Sequence, residues 1–235
     1  METFDKVSGE PSMAKSPQFL NKVYFVRHGK TEWNDSMRFQ GHTDIPLCDE
    51  GRGQSYRTAC RVKNIQVKRV ISSPLVRATQ TAQIIANEIG NCDIDIWPEL
   101  EEENFGDWEG LTIPQIKGKY GTEEFGKWEK DHVYYSVPGG ENWQHLYERS
   151  LAAATKILGL RDGKTIVVGH GAMFRVLFTA IIGLPLSDAF WHMRLDNCSI
   201  SAVGINKYKK SAMLFLNDTV HLQDTENSGV TLPIV

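Results

Sequence analysis

Val23-Tyr24-Phe25-Val26-Arg27-His28-Gly29 is the stretch on which the reading of this chain turns. Four apolar residues without polar alternation describe a strand covered on both faces, as in a parallel sheet packed between helices. The run ends in an arginine, a histidine and a glycine, and the carboxyl ends of strands in open α/β sheets are where ligands bind. A guanidinium group is a planar fork of donors suited to phosphate. A neutral imidazole beside it is a nucleophile, and the glycine allows a sharp turn. The pattern returns at Thr165-Ile166-Val167-Val168, which runs into Gly169-His170-Gly171. Two strands that each end in a histidine and a glycine are far harder to obtain by accident than one.

Working outward, Arg69-Val70-Ile71 is a second short strand. Ser73 and Pro74 then read as the cap and first position of a helix, with Leu75, Ala78, Ala82, Ile85 and Ile89 as its apolar face. Arg77 stands off that stripe in the first turn, near the positive end of the helix dipole, where an anion is favoured. A third strand over 94–97 is followed by the acidic cluster Glu99, Glu101, Glu102 and Glu103. Residues 27–50 show no helical period and read as a long loop, a feature that is usually functional in compact domains. Asn34, Gln40 and Gly41 lie in it and offer amide and backbone donors.

Helices are expected over 51–64, 143–158 and 172–182, the last closed by Gly183, with late strands over 198–205 and 212–216. Residues 106–140 form an insertion over the strand ends, with short helices at 113–119 and 123–130. The whole is an α/β fold, a mostly parallel central sheet flanked by helices on both faces. It is expected as a single domain over 21–222, with a flexible N-terminal arm over 1–20 and a polar tail over 223–235.

The chain has 235 residues, 41% of them apolar and 23% charged, the balance of a soluble globular protein. A net charge of −3 gives no global basic field, so neither nucleic acid nor a membrane surface is an expected partner. The longest apolar run, 176–186, is too short to span a bilayer and holds Gly183 and Pro185. The first residues lack the apolar core of a secretory leader. Cys48, Cys60, Cys92 and Cys198 show no C-x-x-C spacing and read as reduced thiols. Together these features favour the cytoplasm as the expected location. There is no G-x-x-x-x-G-K-[ST] loop of a nucleotide hydrolase.

Taken in order, the motifs resemble those of the histidine phosphatase superfamily, with its phosphoglycerate-mutase-like fold, and within it the broad-specificity phosphatases. The resemblance rests on Arg27-His28-Gly29 through Asn34, Arg38-Phe39-Gln40-Gly41, Ser72-Ser73-Pro74 with Arg77, Trp108-Glu109-Gly110, Pro138-Gly139-Gly140-Glu141, and Gly169-His170-Gly171 with Arg175. It implies that His28 is the nucleophile that becomes phosphohistidine. It implies that Arg27, Arg77 and His170 complete a phosphate pocket, with Asn34, Gln40 and Gly41 adding contacts. Glu102, four residues before Gly106, matches the proton donor; Glu101 and Glu103 are weaker candidates. No cofactor and no metal are implied, and the partner is a small phosphorylated metabolite. A homodimer is left open.

Phosphatase and mutase begin with the same transfer. Mutases of this type carry an adjacent arginine pair in the insertion, where this chain has Glu129-Lys130. An acidic residue there repels a carboxylate, and losing charge-assisted hydrogen bonds of about 1.5–3 kcal/mol each weakens retention of a bisphosphate. Hydrolysis is therefore expected, with a cofactor-dependent phosphoglycerate mutase as the alternative; Lys117, Lys119, Lys127 and Lys130 remain as sources of positive charge. Two remoter readings are a metal-dependent hydrolase using His28, His170 and Glu102, and a non-catalytic module that binds a phosphorylated ligand. The arginines count against the first, because they repel a dication.

Overall fold

The computed structural model describes residues 19–223, apart from 91 and 162. Of the arm expected over 1–20, residues 1–18 lie outside the described residues, and Phe19 and Leu20 belong to the first strand instead; of the tail expected over 223–235, residues 224–235 lie outside the described residues. In chain order the elements are β1 (Phe19–Arg27), α1 (Glu32–Asp35), α2 (Asp49–Val62), β2 (Arg69–Ser72), α3 (Val76–Ile89) and β3 (Ile94–Ile96). Then come α4 (Ile113–Tyr120), α5 (Thr122–Lys130), α6 (Trp143–Gly159), β4 (Lys164–Gly169), α7 (Gly171–Ile182), α8 (Ala189–His192), β5 (Ile200–Asn206) and β6 (Ser211–Asp218).

The strands form one sheet in the order β3-β2-β4-β1-β5-β6. β3, β2, β4 and β1 run parallel, whereas β5 and β6 pair antiparallel at one side. Alternation along β1 explains the two-layer cover. Val23 and Phe25 face a core built with Leu146, Ile157 and Leu177 of α6 and α7. Tyr24 and Val26 face the opposite core, with Ala59 of α2 and Ala82 and Ile85 of α3. A third, mostly aromatic cluster holds the insertion together: Trp108, Phe125 and Trp128 pack with Ile116 and Val137. Among the described residues no helix is long and apolar enough to cross a membrane.

Two local expectations are corrected. Residues 27–50 are not uniformly loop, because Thr31 and Asn34 form a reciprocal capping box that starts the short helix α1. Ser73 does not cap α3, which begins at Val76 after Leu75. The N–H of Val76 is instead taken by the Asp44 carboxylate at 2.6 Å, from the first loop, and the Ser73 hydroxyl is engaged elsewhere.

Candidate active site

Register places the site. Arg27 pairs with Gly169 and Ser72 with Val168, so three neighbouring parallel strands stop at one level. The ladder continues one residue further, with His28 N–H donating to Gly169 O at 2.9 Å and Ser73 N–H to Val168 O at 3.0 Å. His28, Ser73 and His170 thus leave the sheet side by side. Gly29 is required by a close approach rather than by a turn: a Cβ there would sit 2.4 Å from the carbonyl oxygen of Gly51.

Arg27, His28, Asn34, Gln40, Gly41, Arg77 and Glu102 line one cleft of about 230 Å³ at this edge. His170 is fully buried against it, its ring centroid 5.2 Å from that of His28. Nδ1 of His28 lies 2.7 Å from the carbonyl oxygen of Gly29. A carbonyl only accepts, so Nδ1 carries the hydrogen and Nε2 holds the lone pair. Burial first, then the Arg77 and Arg27 charges, hold His28 well below the ordinary imidazole value. The same causes, with His28 itself and the more distant Arg149 charge added, depress His170. Both rings are therefore neutral near neutral pH.

The arginines are anchored on one edge. Arg27 donates from Nη1 to Leu195 O at 2.6 Å. Arg77, a helix residue with no exposed surface, donates to Thr43 O at 3.0 Å and Gly41 O at 2.7 Å. Burial lowers its guanidinium to about 10, against the opposing pull of Glu102 and Asp44. Nε of Arg27, Nε of Arg77 and Nδ1 of His170 are buried and have no hydrogen-bond partner. Such groups cost about 1–3 kcal/mol each and call for an explanation; here Arg27 and Arg77 line the cleft with His28, His170 lies beside it, and together these groups can hold the oxygens of a PO₃ group.

Glu102 supplies the acidic wall. Its Oε1 accepts from Met173 N–H at 2.9 Å and Glu103 N–H at 3.0 Å, and Oε2 accepts from Ala172 N–H at 3.3 Å. The carboxylate thus closes the N-terminal turn of α7, directly after His170. Its neighbours are turned away. Glu103 is buried, takes the indole N–H of Trp143 at 2.9 Å, and burial pushes its carboxyl well above the usual range. Neither Glu101 nor Glu103 lines the cleft. Asn34 Oδ1 is used by the Thr31 N–H, and Gln40 Oε1 accepts from the Thr31 hydroxyl at 3.0 Å. Met37, Arg38, Phe39 and Phe105 complete the cleft.

Sequence reasoning missed the residues that hold these groups. Glu109 accepts from the N–H of His42 at 2.8 Å and of Thr43 at 2.9 Å, which shapes the carbonyls that grip Arg77. Gly41 has φ +53°, and a Cβ there would meet Glu109 Oε1. Arg149 and Glu141 clasp the segment bearing Glu102. Only the position of Glu109 and Glu141 inside recurring motifs signalled them, and nothing signalled Arg149. Among the described residues no group of three or more His, Cys, Asp or Glu side chains is placed to hold a metal ion.

The sheet, its edge and this cluster define a phosphatase- or mutase-like α/β enzyme. The chain belongs to the histidine phosphatase superfamily, whose branch 1 family model matches residues 23–219. The protein named "Probable phosphoglycerate mutase GpmB" of Escherichia fergusonii is 39% identical over 187 residues, which cover 77% of this chain and 84% of that one. The alpha-ribazole phosphatase of Shigella flexneri superposes with a TM-score of 0.77 at 26% identity, covering 84% of this chain and 96% of its own. A mycobacterial glucosyl-3-phosphoglycerate phosphatase, solved in complex with VO₃, gives a TM-score of 0.77 at 25% identity, covering 85% and 100%.

Proposed function

We propose that the protein is a phosphatase that hydrolyses a small phosphomonoester through a phosphohistidine on His28. One observation carries this reading: His28, whose Nε2 holds the lone pair, shares one cleft with Arg27 and Arg77, each with a buried, unpartnered Nε, and its ring lies 5.2 Å from that of His170. In the first step Nε2 attacks phosphorus and the P–O ester bond breaks. The electron pair passes to the leaving oxygen, which takes a proton from Glu102. In the second, Glu102 removes a proton from water, the oxygen attacks phosphorus, and the P–N bond breaks to return neutral His28 and inorganic phosphate. Arg27, Arg77 and His170, which takes up a proton when the phosphoryl group binds, balance the charge on the transferring group. The scheme uses no metal, so EDTA leaves turnover unchanged, and vanadate inhibits as a mimic of the five-coordinate phosphorus.

Hydrolysis rather than mutation is supported by the insertion's lysines. Lys117 lies over the Phe125 ring and Lys119 over Tyr120. Lys127 pairs with Glu124 at 2.9 Å, and Lys130 lines a separate cavity beside His132. None of them lines the cleft, so they give little grip on a second anionic group. The phosphatase names of the two solved relatives point the same way. The mutase reading is favoured by the 39% identical relative.

A panel of phosphorylated metabolites assayed for free phosphate decides between them, with 3-phosphoglycerate plus 2,3-bisphosphoglycerate included. Phosphate release, together with acid-labile phosphate on His28 and none on His28→Ala, is expected. Isomerisation of 3-phosphoglycerate much faster than any phosphate release would overturn the hydrolytic reading.

A further inference from the structure

Arg149 lies on α6, outside the cleft, yet its guanidinium gathers the backbone on which the carboxylate of Glu102 is mounted. Nη1 donates to the carbonyls of Glu99 at 3.2 Å and Glu101 at 2.7 Å. Nη2 donates to the carbonyl of Glu102 at 3.1 Å and to the Glu141 carboxylate at 2.7 Å. The same oxygen of Glu141 accepts the N–H of Asn104 at 2.9 Å, and the Glu141 N–H donates to Asn104 O at 2.9 Å. Arg149 therefore fixes the 99–102 side of this irregular segment, and its ionic partner fixes residue 104. The second lone pair of the Glu102 carbonyl takes Nε2–H of His42 at 2.8 Å, which joins this clasp to the loop that grips Arg77. A lysine has neither the reach nor the fork to serve three carbonyls and a carboxylate at once.

We propose that Arg149, held by Glu141, is a positioning residue for proton transfer: it sets where the Glu102 carboxyl stands relative to the leaving oxygen and touches no substrate itself. The proposal rests on the reading of Glu102 as general acid. Its signature is selective. Poor leaving groups need the proton and activated aryl groups do not, so misplacing the acid lowers kcat/KM for an alkyl phosphate and spares an aryl phosphate. The ratio kcat/KM reports only through phosphoryl transfer to His28, so slower hydrolysis of phosphohistidine does not blur the comparison.

Arg149→Lys, Glu141→Gln and Glu102→Gln are assayed with an alkyl and an activated aryl phosphate, with vanadate inhibition measured for each. The expected result for Arg149→Lys is a loss of roughly tenfold to a hundredfold on the alkyl ester, a small change on the aryl ester, and unchanged vanadate affinity. Glu141→Gln shifts the same ratio in the same direction and decides the matter if Arg149→Lys fails to fold. Equal losses on both esters with weakened vanadate binding, or no loss at all, overturn the positioning role. If Glu102→Gln lacks the selectivity, the acid assignment has failed first, and that outcome is read from its own arm.

Discussion

Ser73 Oγ lies 2.7 Å from Nε2 of His170, tying the segment after β2 to the histidine after β4. A hydroxyl both donates and accepts. It can donate to Nε2 while the ring is neutral and accept from it once the ring is protonated, leaving Nδ1 as a donor toward phosphate in both states. Ser73→Ala is therefore expected to lower kcat/KM by about tenfold to a hundredfold, the scale of a lost hydrogen bond to a charged group. Vanadate affinity should fall in parallel while the fold survives. Unchanged kinetics would mean that His170 keeps its orientation without the serine.

The strand-end histidines were legible because apolar runs within β1 (23–26) and β4 (166–168) each lead into a histidine followed by a glycine, and the register then brings Arg27 level with Gly169. Arg77 was legible as a helix residue off the apolar stripe, although its full burial was not. Ser73 misled for a physical reason: a serine before Pro74 is a sound local cap signal, but tertiary contacts gave its hydroxyl to His170 and the helix end to Asp44. Arg149 was invisible because it grips carbonyls 47 to 50 residues away, and a contact to backbone leaves no trace in side-chain pattern. Between Glu101, Glu102 and Glu103, motif spacing chose the residue that the fold turns into the cleft.

Activity should persist into mild acid. In the proposed scheme His28 must be neutral to attack, and burial with two neighbouring guanidinium groups holds it well below its ordinary 6.5. The acid limb of kcat/KM, corrected for the substrate's own phosphate ionisation near about 6, is expected below pH 6.5. A limb at or above that value would mean that the attacking imidazole is not shielded as the geometry requires.

The same depression links pH to stability. Below 6.5 the unfolded chain protonates histidines that the folded cluster keeps neutral, so the unfolded state binds more protons. Stability of the ligand-free protein is then complete above pH 6.5 and falls as pH drops, by up to about 1.4 kcal/mol per pH unit for each of His28 and His170, until the folded-state values are reached. Bound phosphate favours protonated His170 and should flatten that slope. Urea unfolding at pH 7.5 and 5.5, with and without phosphate, checks it; parallel slopes would show that phosphate does not meet His170.

Gly41→Ala tests the chain from Glu109 through the first loop to Arg77. Its φ of +53° makes any side chain strained there, at about 1–2 kcal/mol, and the new methyl would displace the Glu109 carboxylate. Glu109 then releases the N–H groups of His42 and Thr43, and the carbonyls of Gly41 and Thr43 no longer present themselves to Arg77. The expected outcome is a modest drop in the urea midpoint with a loss of roughly tenfold or more in kcat/KM. Lost stability with intact turnover would uncouple the loop from the arginine.

Arg77 spends two donors on carbonyls along one edge and keeps a buried, unpartnered Nε on the other. In the proposed scheme one side chain therefore does two jobs: it anchors the first loop and presents a donor to the phosphoryl oxygens. A lysine cannot do both, because its three donors radiate from a single point. At a site with no exposed surface, desolvation also drives an ammonium toward its neutral form. Arg77→Lys is thus expected to resemble Arg77→Ala, each losing on the order of 10²–10³ in kcat, the cost of removing one preorganised oxyanion donor. Inhibition by phosphate and vanadate should weaken alongside. If the lysine variant kept turnover within a few-fold of the parent, positive charge alone would suffice at this position, and the two-edged role of the guanidinium would be wrong.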